Sequence, residues 1–249
     1  MKDIEEKKFE KIFGISRHDI GKVLIISPFF HAKIIASELK RQKFFKGLIF
    51  HGVSGVYKNK QITFVNTGMG QTMVVDCILA QDPQKLKAVI FLGAIGAVQN
   101  LKISDAVVLK EAVFDTQYHK KFGINFKSDS KNVFYPDPQM LKNSLATAIE
   151  KGYDLKQANV LSIHTFWDQE KPRVEELAKN GVQSVDLECA FFYAATSRQK
   201  IKAIAFCFVS DNIISRPFWG EFSKTERSAM KGKALEIVRL GLDLGLKLK

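Results

Sequence analysis

Three short stretches of this chain are apolar almost without interruption: Val23–Ser27 (VLIIS), Ala88–Leu92 (AVIFL) and Ala203–Val209 (AIAFCFV). None alternates with polar residues, as a strand with one wet face does. Each is too short for a buried helix and rich in β-branched or aromatic residues. Such runs suit strands covered on both faces. A sheet covered on both faces needs a layer of helices on each side. The pattern therefore predicts an α/β three-layer sandwich, with a mixed central β-sheet flanked by helices.

The segments between these runs fit that plan. His31–Lys43 carries Ile34, Ile35 and Leu39 at helical spacing, predicting a helix. Leu48–His51, Val53–Tyr57 and Ile62–Asn66 read as strands, with a polar turn at Lys58–Gln61. Thr67–Gly70 is a glycine-punctuated turn before an apolar helix from Gln71 to Ala80. Ala106–Phe114 and Asn159–His164 read as strands, and 115–137 as a loop rich in aromatics and charge. Gln139–Lys151 and Arg173–Asn180 read as helices. Val185–Arg198 begins extended and turns helical, and Lys224–Leu248 has Leu235, Val238, Leu242 and Leu246 on one helical face. Without repeats or a Pro/Gly-rich linker, the division is a charged N-terminal extension, 1–21, and one domain, 22–249.

Composition excludes several classes. The chain has 249 residues, 46% hydrophobic and 26% charged, which suits a globular core and not disorder. No apolar run approaches the roughly 20 residues of a membrane span, and the charged N-terminus lacks the apolar stretch of a secretory signal. Cys77, Cys189 and Cys207 lie among apolar residues with no CxxC pair, and the histidines are scattered. That reads as buried thiols of a cytoplasmic protein without a metal site. The net charge of +12 comes from lysines spread along the chain, with no basic arm or nucleic-acid motif. It favours neither nucleic acid nor membrane as partner, but it suits a phosphorylated small molecule.

In a sheet of this kind ligands gather where strands end. Five sequences stand at such exits or enter an apolar stretch. Asn66-Thr67-Gly68-Met69-Gly70 is a tight turn, or a turn whose glycines and following helix let a ligand reach the backbone. Gly93-Ala94-Ile95-Gly96 is close packing, or room for a ligand. Asp186-Leu187-Glu188 brings two carboxylates into an apolar stretch, where they must be structural acceptors or grip ligand hydroxyls. Ser210-Asp211-Asn212 leaves a core strand, where Asp211 is either a helix cap or a desolvated acid. Phe166 and Trp167, before Gln169, are core aromatics or a stacking surface for a flat ligand.

Taken together, these segments resemble the nucleoside phosphorylase and nucleosidase superfamily. The resemblance runs in order over most of 22–247: Asn66–Gly70 for its TGMG turn, Ala88–Ala97 for its strand-GxxG segment, Leu101–Val108 for its L-x-(V/I)-G-D stretch, Val185–Ala190 for its V-x-M-E segment, and Val209–Asn212 for its V-S-D motif. It implies cleavage of a ribosyl N-glycosidic bond. Asp211 would be the general acid for the leaving base, and Glu188 would hold the ribose hydroxyls. Leu187 would lie under the sugar and Phe166 against the base. Gly68, Met69, Gly70, Gly93, Ala94 and Ser210 would complete the substrate site. It implies a nucleoside or nucleotide as substrate, no metal or organic cofactor, and a homo-oligomer, for which Tyr118–Tyr135 is a candidate interface.

Departures from the family divide the readings. Where phosphorylases carry phosphate-binding arginine and Ser/Thr, the chain has Phe91, Ala94 and Ile95. Its first loop reads Ser27-Pro28-Phe29-Phe30-His31-Ala32-Lys33, without arginine. An anion without charged donors is held poorly, which favours water as nucleophile. The loop also lacks the water-activating glutamate of methylthioadenosine/S-adenosylhomocysteine nucleosidases. Phe91-Leu92-Gly93 and Val185-Asp186-Leu187-Glu188 resemble the catalytic part of AMP nucleosidases. Gln169-Glu170-Lys171 resembles the base-reading segment of uridine phosphorylases. Hydrolysis is the leading expectation, phosphorolysis the alternative, and a nucleoside-binding relative without catalysis the third.

Overall fold

The three apolar runs lie side by side at the centre of the molecule. In the computed structural model, which describes residues 2–115 and 132–248, they form β1 (Val23–Ser27), β5 (Ala88–Ala97) and β10 (Lys202–Asn212). β5 pairs in parallel with both β1 and β10. Alternate residues of each strand enter different cores. Leu24, Ile26, Val89, Phe91, Ala205 and Cys207 face one side, and Val23, Ile25, Ile90, Leu92, Ile204 and Phe206 the other. This is why the runs are apolar without period: each strand serves two buried faces.

Helices cover both. On the first face lie α1 (Lys2–Phe13), α3 (Gln71–Leu79) and α6 (Cys189–Arg198), which bury Phe9, Phe13, Val74, Ile78 and Phe192. On the second lie α2 (Ala32–Ala36), α4 (Pro138–Lys151) and α7 (Lys224–Lys247), which bury Ile35, Met140, Ala148, Ile237 and Leu242. A smaller cluster gathers Val174 and Leu177 of α5 (Lys171–Lys179) with Ile163, Val185 and Ile213. Among the described residues no helix is long and apolar enough to cross a membrane. Cys77, Cys189 and Cys207 are free and buried.

The sheet is mixed and partly closed on itself. β10 pairs antiparallel with β6 (Ala106–Phe114), β6 parallel with β8 (Leu155–Ser162), and β8 parallel with β9 (Ser184–Asp186). β9 then pairs antiparallel with the end of β5, completing a ring. β7 (Val133–Phe134) adds to β6. On the other side β1 pairs with β4 (Lys60–Asn66), followed by β3 (His51–Tyr57) and β2 (Lys40–Lys46).

Two local readings are corrected. The helix expected over 31–43 ends at Ala36, and Lys40–Lys46 is the edge strand β2. The Gln42 amide donates to the Ala36 and Leu39 carbonyls and closes the helix end. Phe45 lies against Gly52, where a Cβ would meet its ring at 2.6 Å. Long-range pairing with β3 thus overrides helical spacing. The basic residues of β2 line an edge that charge and a register shift protect from further pairing. The strand expected at Leu48–His51 starts only at His51, because the preceding amides bond the last carbonyls of α1. Leu48 N–H donates to Lys11, and Ile49 and Phe50 to Ile12. Of the aromatic segment 118–135, residues 118–131 lie outside the described part of the chain.

Candidate active site

The ends of β5, β9 and β10 meet at one place. Asp211 is in register with Gly96, and Gly96 with Val185 on β9. A register shift between Val209 and Asp211 leaves Ser210 as an extra residue on β10. Such a bulge bends a strand and re-aims the next side chain. Gly96 makes room for it: a Cβ there would stand 2.9 Å from Ile213 and 3.5 Å from Asp211 Oδ1.

Above this junction opens a cleft of about 360 Å³. Of the residues expected from sequence, Met69, Ala94, Phe166, Leu187, Glu188, Ser210 and Asp211 line it. Gly70 reaches it through its backbone, donating its N–H to Glu188 Oε1 at 2.8 Å. Gly68 and Gly93 are not in the lining. Gly68, at φ 69°, turns the chain and donates its N–H to Asn66 Oδ1, whereas Gly93 leaves space for the Phe91 ring. Trp167 is outside the cleft and 88% exposed. His31 caps α2 by accepting the Lys33 N–H at Nδ1, and neither residue lines the cleft.

The two carboxylates of Asp186-Leu187-Glu188 have different environments. Asp186 is enclosed by donors: Ser162 Oγ at 2.5 Å to Oδ1, and the amides of Glu188 and Cys189 at 3.0 and 2.6 Å to Oδ2. It holds the start of α6 to β8. Glu188 meets the N-terminus of α3, where Gly70 at φ 108° presents its amide. A non-glycine residue is strained in that conformation. Burial, followed by the negative charge of Asp186, pushes the Glu188 carboxyl up to about 7, against the pull of the Gly70 and Leu187 amides. Asp211 is also raised, by burial, with the Ser210 hydroxyl (2.5 Å) and the Phe218 amide opposing. The cleft therefore holds two carboxyls whose burial favours the protonated form.

Phe166 and Phe218 close one wall, their ring centres 4.9 Å apart. Pro28, Phe29 and Gln169 also line the cleft. No lysine, arginine or histidine does so among the described residues.

The family model described as Phosphorylase superfamily matches residues 23–239. The chain belongs to the phosphorylase superfamily. Its members cleave N-glycosidic bonds. A DeoD-type purine nucleoside phosphorylase of Listeria monocytogenes is 30% identical over 70% of this chain and 72% of its own length. One from Histophilus somni is 29% identical over 78% and 79%. In fold, uridine phosphorylase from Vibrio fischeri superposes with a TM-score of 0.80 at 16% identity, covering 94% of each chain. The methylthioadenosine/S-adenosylhomocysteine nucleosidase of Campylobacter jejuni gives 0.78 at 15%, covering 92% of this chain and all of its own.

Within this cleft, Phe29 and Phe218 are the lining aromatics that sequence reasoning did not assign. Phe29 follows β1, so the strand-end rule that found Asp211 also covers it. Phe218 had no local signal. It comes back to the cleft because Asn212 and Arg216 exchange backbone hydrogen bonds and fold the chain over.

The division between the carboxylates gives one prediction. Asp186→Ala leaves the Ser162 hydroxyl and two amides without their buried acceptor, and should cost about 2–4 kcal/mol of stability. Denaturant unfolding measures it, and a loss near zero would contradict the structural role.

Proposed function

We propose that this chain hydrolyses the N-glycosidic bond of a purine nucleoside. The observation that carries the reading is that Asp211 and Glu188, both raised by burial, line one cleft beside the Phe166–Phe218 wall. The base lies toward Asp211 and the aromatic rings, and the ribose against Glu188 and Leu187. As the C1′–N bond breaks, its electron pair goes to the base and Asp211 supplies the proton. Positive charge grows on the sugar, which ionised Glu188 stabilises while accepting from ribose hydroxyls. Water adds to C1′ and gives its proton to solvent. The names of the sequence relatives support a purine base.

Water is favoured over phosphate because the described lining holds no charged donor for an anion. The phosphorylase names of those relatives favour the second reading, phosphorolysis. Chromatography of adenosine and inosine reactions separates the two. Hydrolysis predicts base and free ribose at a rate that added phosphate changes by less than about twofold. Ribose 1-phosphate formed only with phosphate present would replace this reading by phosphorolysis. Nucleoside binding without base release would support a non-catalytic relative.

A further inference from the structure

We infer that Asp186 is a positioning residue for Glu188: it caps α6 in Glu188's place and so leaves the Glu188 carboxylate free to hold the sugar. The inference rests on the proposed reading for the ribose against Glu188, and adds the residue that keeps that carboxylate there. Glu188 stands at the cap position of α6, with φ −130° and ψ −29°, yet its side chain makes no capping hydrogen bond. A helix start has free amides, and the side chain at that position usually bonds one of them. Here Asp186 does so from two residues upstream. Its Oδ2 accepts the amides of Glu188 and Cys189, the i+2 and i+3 pattern of a capping aspartate. Its Oδ1 is tied to the Ser162 hydroxyl, which in turn accepts the Ala190 amide at 2.8 Å. Three successive amides are thus satisfied without the Glu188 side chain. Ser162 and Asp186 share this task because they are register partners on the parallel strands β8 and β9. The Ile163 amide, donating to the Asp186 carbonyl at 2.8 Å, ties down the same junction.

The two acids therefore serve different helices. Asp186 takes the N-terminus of α6, and Glu188 crosses to that of α3, where Gly70 presents its amide. Negative charge is favoured at both ends. One Glu188 oxygen accepts from Gly70, and the carboxylate keeps acceptor capacity for ribose hydroxyls. Without Asp186 the amides at 188 and 189 would be buried with no acceptor, which is costly. Glu188 is the carboxylate next along the chain. Turned back to cap its own helix, it would leave the sugar, and small misplacements of a binding group are expensive in rate.

The test is a double-mutant cycle on the full chain. Asp186→Ala and Asp186→Asn are each made alone and together with Glu188→Gln. Base release and calorimetric affinity are measured with adenosine and inosine, at temperatures where every variant is folded. With Glu188 present, Asp186→Ala should lower kcat/KM by about 30-fold and affinity by about fivefold. With Glu188→Gln present, the same exchange should cost less than about twofold in either. Asparagine keeps an oxygen for both amides, so Asp186→Asn should stay within about fivefold of wild type in kcat/KM. If Asp186→Ala does not fold, Ser162→Ala replaces it in the cycle, loosening Asp186 from outside the described lining, and its losses should depend on Glu188 in the same way. Losses that are equal in both Glu188 backgrounds overturn the inference, since Asp186 would then serve only the fold or the substrate directly. An asparagine variant as poor as the alanine one overturns it too. The expected pattern in affinity with no base released supports the inference and overturns hydrolysis. Wild-type protein that binds neither nucleoside overturns both.

Discussion

Asp211→Asn is expected to lower kcat/KM for base release by about 10³-fold, within the usual range for losing a general acid. The amide keeps the shape of the side chain and can still accept from Ser210, which donates to Oδ1 at 2.5 Å. It cannot deliver a proton to the base. Folding should survive, since the exchange replaces a buried carboxyl by a neutral group of equal size. The pH profile carries a second signature. Burial raises the Asp211 carboxyl, so its proton is kept to higher pH than an ordinary aspartate allows. Wild-type activity should fall on the alkaline side as that proton is lost, and the variant should lack this limb. Steady-state kinetics over pH, with a thermal melt of each protein, decide the point. Wild-type turnover in the variant would remove Asp211 from the mechanism.

Glu188→Gln should lower kcat/KM by about 10²-fold, because the developing positive charge on the sugar loses its counter-charge. The same exchange should make the protein more stable at pH 8. The folded carboxyl titrates at about 7, against 4.5 as its ordinary value. Between those values the folded chain keeps a proton that the unfolded chain has released, so stability falls as pH rises through that window. Above it, wild type carries the whole penalty of an ionised, buried carboxylate beside Asp186. Glutamine carries none, and its side-chain oxygen can still accept from Gly70. The gain at pH 8 should be on the order of 1–3 kcal/mol and shrink toward zero by pH 4. Less activity with more stability marks a residue kept for function at the expense of the fold. A variant less stable than wild type at pH 8 would mean that the Glu188 carboxylate is a structural anchor.

Much of this was readable in the chain itself. The runs around Ile25, Ile90 and Phe206 had no period, and the reason is the pair of cores that each strand divides between its alternate residues. Asp211, Met69 and Ala94 were singled out because chemistry collects at strand ends, and Glu188 because a carboxylate entering an apolar stretch needs a partner; the structure brings all four to one cleft. Information from remote residues was beyond such a reading. Lys40–Lys46 had helical spacing before it, but β3, reached through a turn, captures it as strand. Nothing local separates Asp186 from Glu188; Ser162 on β8 and Gly70 before α3 do so. The bulge at Ser210 and the return of Phe218 also depend on partners outside their own segments.

The central claim is that Asp211 protonates the departing base. Its sharpest test compares wild type and Asp211→Asn on two substrates, a nucleoside and p-nitrophenyl β-D-riboside. The nitrophenolate leaves without needing a proton. Loss of the acid should therefore cost about 10³-fold on the nucleoside and no more than about fivefold on the nitrophenyl riboside. Equal losses on both substrates would contradict the account, since they would mean that Asp211 acts on the sugar or the fold and not on the leaving group.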